Sequence, residues 1–561
     1  MLSENDASGI NKNNGSRLIS GVMLLTASTL ICKIIGLLFK IPIINIVGID
    51  GMAYFSSAYN IYMLLNSIAA AGLPIALSIL VSRNRVCGRI TNLNKIFRVA
   101  LSVFLILGIT GAACLYFGAD LYSSAIGIEL SSLSVKAIAP TLLFICISGA
   151  FRGYFQGYEI MAPTAISQLI ESLGKLLLGV GFAMYCAGKG MDSSKTAAAA
   201  VFGLSVGVLI SSLFLILRFW IHLKNGRKRT TCLIDNETQK STRIFYELMA
   251  IAFPITLSSC ITSLTSLADT ALITNRLVYS GYSSDVAIGL YSSYTNLAIP
   301  LFNLPPALIT SIGISIIPAL SRAITIGALE DSKRSFSSAL RLCCMLAIPS
   351  AAGIAIFAKP ILLLLYPSEA EACNFAAPLL SVLSAAIVFS CLITVCNATL
   401  QAYMKQFLPI VSMAAGATVK VVVEYILVGT DVGIWGAPIS TLCCTFTIFL
   451  LDIIFITVYT PQRFDLAPLC RTALATIFSV GISACAYNLA MRYESGSALS
   501  LFIAIFLSLV LFAVSAIIFG AVTYSDLACV KALRPFAEFL KNNKLIRVKE
   551  YKNERKQNDR V

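Results

Sequence analysis

The chain has 561 residues, 57% of them hydrophobic and 12% charged, with a mean hydropathy of +0.84. Charged residues make up about a quarter of an ordinary soluble protein, so that class is excluded. The 42 Lys and Arg against 27 Asp and Glu leave a formal charge of +15. These cations stand in short clusters between long apolar runs, which is how membrane proteins place them and not how a nucleic-acid surface does.

The polar residues 1–16 run directly into an apolar segment long enough to span a bilayer, so no cleavable signal is expected and the first helix is retained. A crossing needs about 20 apolar residues, and helices satisfy their own backbone where no water can. In chain order this predicts fourteen spans: 17–43, 51–82, 95–118, 132–157, 162–187, 196–221, 245–275, 288–321, 336–358, 373–403, 407–429, 432–458, 467–490 and 497–523. An even number puts both termini on one side. The loops of that side, with the termini, hold 32 Lys and Arg against 5 on the other, which marks it as cytoplasmic.

The expected organisation is a cytoplasmic N-terminus (1–16), a first lobe of helices 1 to 6 (17–222), a basic cytoplasmic linker (223–244), a second lobe of helices 7 to 12 (245–458), helices 13 and 14 (459–524) and a basic tail (525–561). In the tail Leu533, Phe536, Phe539 and Leu540 recur at helical spacing before a Lys- and Arg-rich end. That pattern suits an amphipathic helix on an anionic leaflet.

Phe55-Ser-Ser-Ala-Tyr-Asn60 returns as Tyr291-Ser-Ser-Tyr-Thr-Asn296 after 236 residues, and the same offset sets Lys33 on Asp269 and Lys40 on Arg276. At an offset of 245, Gln156, Tyr158, Ser167 and Lys175 fall on Gln401, Tyr403, Ser412 and Lys420. Both offsets advance the chain by six spans, which preserves topology. The predicted fold is therefore an all-α polytopic membrane protein with two pseudo-symmetric, parallel six-helix bundles, helices 13 and 14 being appended. Two such bundles enclose a cavity in many transporters.

Within the spans lie Lys33, Lys40, Lys136, Glu171, Lys175, Asp269, Lys420, Glu424 and Asp452. Ionised groups there cost about 2.5–3.5 kcal/mol each, so they are expected to face protein or a water-filled cavity. Lys175 and Lys420 each lie 13 residues into their helix, about 20 Å deep at 1.5 Å per residue. Glu171 with Lys175, and Lys420 with Glu424, are spaced either to neutralise each other as i,i+4 pairs or to exchange one partner for a substrate phosphate. Lys33 and Asp269 either bridge the lobes or pair locally. Asn60, Gln156, Tyr158 and Asn296 offer hydrogen bonds to sugar hydroxyls or between helices, and Arg276 joins the cavity set. Gly72-Leu73-Pro74, Pro254 and Leu304-Pro305-Pro306 are expected to kink their helices.

Catalytic chemistry finds no footing. The 17 cysteines are scattered without a CxxC and read as reduced packing residues. The single histidine, His222, cannot assemble a metal site or a triad. Gly188-Lys189 resembles a P-loop only in passing, since Ala183 replaces the first glycine and Gly190 stands where Ser or Thr must follow. No cofactor, no metal and no enzyme activity are expected.

Leu30-Ile-Cys-Lys-Ile-Ile-Gly36, Gly72-Leu-Pro-Ile-Ala76, Arg152-Gly-Tyr-Phe-Gln-Gly157 with Pro163-Thr-Ala-Ile-Ser-Gln168, and Ile299-Pro-Leu-Phe-Asn-Leu-Pro305 with Ile317-Pro-Ala-Leu-Ser321 resemble the stage V sporulation protein B group. That group belongs to the multidrug/oligosaccharidyl-lipid/polysaccharide (MOP) exporter superfamily and is related to the MurJ lipid II flippases. The resemblance implies two six-helix bundles, alternating access and movement of undecaprenyl-diphosphate-linked sugars from the inner to the outer leaflet. It also implies functional cations in helix 1, matched here by Lys33 and Lys40. Another is implied in helix 8, where this chain has neutral Thr295 or Asn296, a departure that favours the broader sporulation or polysaccharide branch over lipid II itself.

The expected function is a flippase for a lipid-linked oligosaccharide, with Lys33, Lys40, Lys175 and Lys420 as phosphate or gating cations. The alternatives are a cation-coupled drug exporter using Asp269 or Glu424, and a membrane scaffold for cell-wall enzymes. The expected partners are the lipid-linked substrate, membrane lipids and cell-wall synthesis enzymes, with the chain as a monomer.

Overall fold

The computed structural model describes the backbone of residues 4–522 apart from 71, 87–89, 159, 228–239, 326–327, 466 and 494–497, with Glu538 besides. Side chains are described from Leu24 onward, with further gaps that take in Lys33, Pro254 and 311–319. The basic tail predicted over 525–561 lies outside the described residues, Glu538 excepted.

Among the described residues every regular element is helical. The first unit of the chain begins with α1 (Glu4–Ala70), α2 (Gly72–Val86), α3 (Ile90–Ala125), α4 (Ser132–Gly157), α5 (Ala162–Gly188) and α6 (Ser193–Arg227). There follow α7 (Ser241–Tyr279), α8 (Ser284–Ser292), α9 (Ile299–Thr325), α10 (Leu329–Ile356) and α11 (Ala358–Leu365). The last five are α12 (Ala370–Ala402), α13 (Phe407–Val428), α14 (Gly436–Tyr459), α15 (Ala467–Tyr493) and α16 (Ala498–Ile518).

Twelve helical stretches among the described residues are long and apolar enough to cross a membrane, against fourteen predicted. One of them, Ala27–Arg85, is 59 residues long and takes in the predicted span 51–82 with the greater part of 17–43. Gly48 divides them: its φ of 77° is open to glycine at little cost and turns the helix there. The span predicted over 288–321 includes residues outside the described set. Large apolar side chains such as Phe117, Leu177, Phe253, Ile477 and Phe506 stand exposed on the helices, a surface that lipid accepts and water does not.

Of the expected interruptions, the one at Gly72-Leu73-Pro74 adjoins residue 71, which lies outside the described residues, and Pro74 stands in the first turn of α2. Pro305 and Pro306 instead remain inside α9, and the winding changes earlier, in a π-helical turn over Ser293–Ala298. Pro300 follows that turn; it lacks the N–H that would bond the carbonyl of Asn296, and a wider turn relieves its ring.

The chain divides into two compact units. The first comprises Met1–Pro300, Leu365–Ala376 and Ala417–Ser440. In it α5 and α6 pack through facing glycines: a Cβ on Gly174 would meet Gly207 Cα at 2.7 Å, and one on Gly203 would meet Gly179 Cα at 2.6 Å. Backbones approach this closely only where side chains are absent.

The second unit comprises Leu301–Leu364, Ala377–Gly416 and Thr441–Val561. There α15 pairs with α16 around Ala475 and Ala516, and Ser515 Oγ donates to Ala475 O at 3.0 Å. The repeat partner of Ser167, Ser412, lies in this unit and donates to Asp452 Oδ1 at 2.6 Å.

Candidate functional site

The site is built on the hairpin of α4 and α5. Ile160 N donates to Phe155 O at 2.9 Å, which brings the start of α5 beside the end of α4, and Arg152 meets Ser167. Arg152 Nε donates to Ser167 Oγ at 2.9 Å, and its Nη2 donates to Glu171 Oε2 at 2.9 Å and to Ser211 Oγ of α6 at 3.3 Å. One turn on, Lys175 Nζ donates to the other oxygen, Glu171 Oε1, at 2.7 Å. Glu171 is therefore held by two cations at once, one per oxygen, and is buried.

Two adjoining cavities open on this cluster. One, of about 250 Å³, is lined by Arg152, Glu171, Gln168, Ser172, Cys32 and Thr29. The other, of about 190 Å³, shares Cys32 and Ser172 and adds Lys40, Lys175, Tyr59 and Phe55 among its walls. Lys40 and Lys175 thus face one space from two helices, while Gln168 Oε1 is buried without a hydrogen-bond partner. Three cations and a single carboxylate line these cavities, which leaves an excess of positive charge beside aromatic and hydroxyl groups. Ammonium and guanidinium groups so placed are chemically suited to pair with a phosphate.

Lys420, at the repeat position of Lys175, stands in a different environment. The i,i+4 pair that its spacing allowed with Glu424 does not form. Its Nζ instead lies 2.5 Å from Asp269 Oδ2 on α7, with both groups largely buried. Asp269 lies on the inner turn of α7 facing α13, closer to the ammonium than the carboxylate one turn along the lysine's own helix. Glu424 accepts a hydrogen bond from Ser440 Oγ at 3.3 Å. Asp269 Oδ1 and Glu424 Oε1 are both buried without a donor. Two carboxyl groups around one ammonium are neutral when one of them carries a proton.

The remaining expected residues fall elsewhere. Asn60 Nδ2 donates to Thr270 Oγ1 at 2.9 Å and to Tyr291 OH at 3.3 Å. Asn296 accepts from Ser56 Oγ at 2.5 Å and from Lys40 Nζ at 3.5 Å, and donates to Met52 O at 3.2 Å. The two copies of the repeated motif therefore hydrogen-bond to one another, which makes these asparagines interhelical partners. Arg276 donates from Nε to Tyr425 O at 3.1 Å, its guanidinium 4.1 Å from the Tyr425 ring centroid and 4.7 Å from that of Tyr279. Gly429 leaves the space it occupies. Tyr158 joins Tyr154, His222 and Arg85 in an aromatic cluster away from both cavities. Gln156 lines neither cavity. Lys136 pairs with Asp120 at 2.9 Å. Lys33 lies outside the described residues, so its bridge to Asp269 is not seen; the Asp269 carboxylate is taken by Lys420.

The sequence of residues 18–324, over half the chain, matches the family model described as "Polysaccharide biosynthesis protein". The chain belongs to the polysaccharide biosynthesis protein family. A MatE family model also matches over residues 254–426. The lipid II flippase MurJ of Bacillus subtilis strain 168 is 26% identical over 445 residues, covering 74% of this chain and 78% of that protein. Stage V sporulation protein B of the same organism is 25% identical over 355 residues, covering 63% and 68%. Among solved structures, that of lipid II flippase MurJ in an inward closed conformation superposes with a TM-score of 0.69 at 14% identity, covering 89% of this chain and 98% of that one. At that identity the likeness is one of fold. Family and fold together make this a multi-pass membrane protein of the MOP superfamily, a transporter and not an enzyme.

Within this family member the residue that sequence reasoning missed is Arg152. In the sequence it stands at the end of its span, within the Arg-Gly-Tyr-Phe-Gln-Gly run, and reads as a loop cation. The available signal is the closeness in sequence of the two span ends, which lets Arg152 reach Ser167 and Glu171.

Proposed function

We propose that the protein is a flippase that carries an undecaprenyl-diphosphate-linked oligosaccharide from the inner to the outer leaflet. Lys40, Lys175 and Arg152 hold the diphosphate, and Lys33, about two turns before Lys40 on the same helix, is assigned to the same path. The supporting observation is the joint lining of one cavity by Lys40 and Lys175 beside an Arg152–Glu171 pair that leaves net positive charge. The sugars meet Tyr59, Ser172 and Gln168, and the isoprenoid tail need not leave the hydrocarbon. The curated relatives include a lipid II flippase, which supports a lipid-linked substrate. Cations on the termini side point to cytoplasmic ends, and an inside-negative potential favours outward movement of an anion by about 2.3 kcal/mol per charge per 100 mV.

The deciding experiment is reconstitution into proteoliposomes with a fluorescent undecaprenyl-diphosphate disaccharide. Its accessibility to an external quencher should depend on the protein and fall sharply in Lys175→Ala and Lys40→Ala. Wild-type flipping in both variants would remove the site. The Asp269–Glu424 carboxyl pair favours a second reading, a cation-coupled exporter. Proton- or Na⁺-driven efflux of organic cations without movement of the lipid would establish that reading instead.

A further inference from the structure

A third cavity, of about 1080 Å³, takes no part in the site above. It opens in the second unit where α10 begins and α14 ends, on the side of the basic loops. Its lining includes Lys333 and Ser337 of α10, Thr457 of α14, and Thr460, Gln462 and Arg463 of the segment that follows. Its size is in the range of small-molecule and head-group sites, and the ends of spans lie at the level of bilayer phosphates.

The lining divides into charge and acceptors. Lys333 and Arg463 supply two cations; Lys333 also contacts Glu330 at 2.8 Å, and Arg463 is exposed. The Thr457 and Thr460 hydroxyls donate to the carbonyls of Ile454, at 2.9 Å, and Ile456, at 2.7 Å. Thr460 also accepts from Gln462 N at 3.3 Å, so what the two hydroxyls retain for a ligand is acceptor capacity, whole at Thr457 and partial at Thr460. Gln462, 2% exposed, donates its amide to Ser332 Oγ at 2.8 Å and Tyr403 OH at 2.9 Å. Its Oε1 is buried and has no partner. A buried acceptor left unmatched is costly, and a ligand hydroxyl would satisfy it.

We propose that this cavity binds the phosphoglycerol head of an anionic membrane lipid. Lys333 and Arg463 hold the phosphodiester, while Gln462 Oε1, with Thr457 and Thr460, accepts from the glycerol hydroxyls. Choline and ethanolamine heads bring a cation toward Lys333 and Arg463. Phosphatidic acid has no head-group hydroxyls for the acceptors. The chain's own tail, residues 525–561, carries ten Lys and Arg against five Asp and Glu, a net positive charge that makes it a poorer match for two cations than an anionic head. The proposal is independent of the transported substrate.

The test uses the full chain in nanodiscs of phosphatidylcholine containing phosphatidylglycerol or phosphatidic acid, with lipid retained on re-extraction measured by mass spectrometry. Wild type should retain phosphatidylglycerol above its bulk fraction. Lys333→Gln with Arg463→Gln should lower that enrichment about tenfold, as expected for losing charge-assisted hydrogen bonds. Gln462→Met should remove the preference for phosphatidylglycerol over phosphatidic acid while keeping anionic lipid above phosphatidylcholine. Equal retention of all three lipids by wild type would overturn the proposal, as would undiminished enrichment in the double variant. Competition by soluble glycerol phosphate at lipid-like concentration would overturn the lipid as its source. If the double variant does not fold, Arg463→Gln alone, at an exposed position, reads the same enrichment.

Discussion

Lys175 on α5 and Lys420 on α13 fall on each other at an offset of 245 residues, yet the charge around them differs in sign. About Lys175, Glu171 is paired with Arg152 and Lys175, and Lys40 adds a third cation on the wall of the same cavity. About Lys420, two carboxyl groups, Asp269 and Glu424, surround one ammonium. The first cluster has room for an anion and borders a cavity. The second pairs its only ammonium with Asp269 and so ties α7 to α13. A repeat can thus keep a buried lysine in both copies while only one copy remains open to a ligand, because what a buried charge does is set by its partners.

The comparison breaks most readily at Lys420. Lys420→Ala leaves two buried carboxyl groups without their cation, and loss of one partner from a buried pair costs about 3–5 kcal/mol. The detergent-solubilised protein should melt well below wild type, and an unchanged melting temperature would contradict the ion-pair role. At Lys175 the outcome should invert. Glu171 keeps Arg152, so Lys175→Ala should alter stability by no more than about 1 kcal/mol while flipping in proteoliposomes falls about tenfold or more.

A finer test separates Asp269 from Glu424. In Asp269→Asn, Lys420 can turn to Glu424 one turn away on its own helix, so the cost should be about 1–2 kcal/mol. A double-mutant cycle with Glu424→Gln should then show coupling of at least about 0.5 kcal/mol in thermal or chemical unfolding. Additive single effects would mean that the two carboxyl groups do not share the lysine. The smallest effect belongs to Arg276→Lys, which keeps the charge but loses the planar stacking on Tyr425 and Tyr279, worth about 0.5–1 kcal/mol at an exposed site. Its melting temperature is the measure.

The membrane architecture was legible because apolar length and cation placement follow from the solvent itself. The i,i+4 partnership of Glu171 and Lys175 was likewise local, and the structure contains it. The same spacing at Lys420 and Glu424 misled, because the competing carboxylate of Asp269 comes from 151 residues away and nothing in a linear pattern weighs a distant partner against a near one. Arg152 was hidden for a similar reason: a cation near the end of a span looks like a loop residue until the hairpin folds it back onto α5. Asn60 and Asn296 had two open roles, and only the fold shows the repeated motifs bonded to each other.

The glycine contacts between α5 and α6 have a mechanical consequence. With Gly174 against Gly207 and Gly179 against Gly203, the two helices form a plate whose members cannot slide without lifting their backbones apart. Glu171 and Lys175 ride on that plate, so the proposed head-group site would move as one stiff wall. Paired spin labels on α5 and α6 would then keep one separation through the whole turnover, and the shape change that passes cargo across must be absorbed by hinges in other helices.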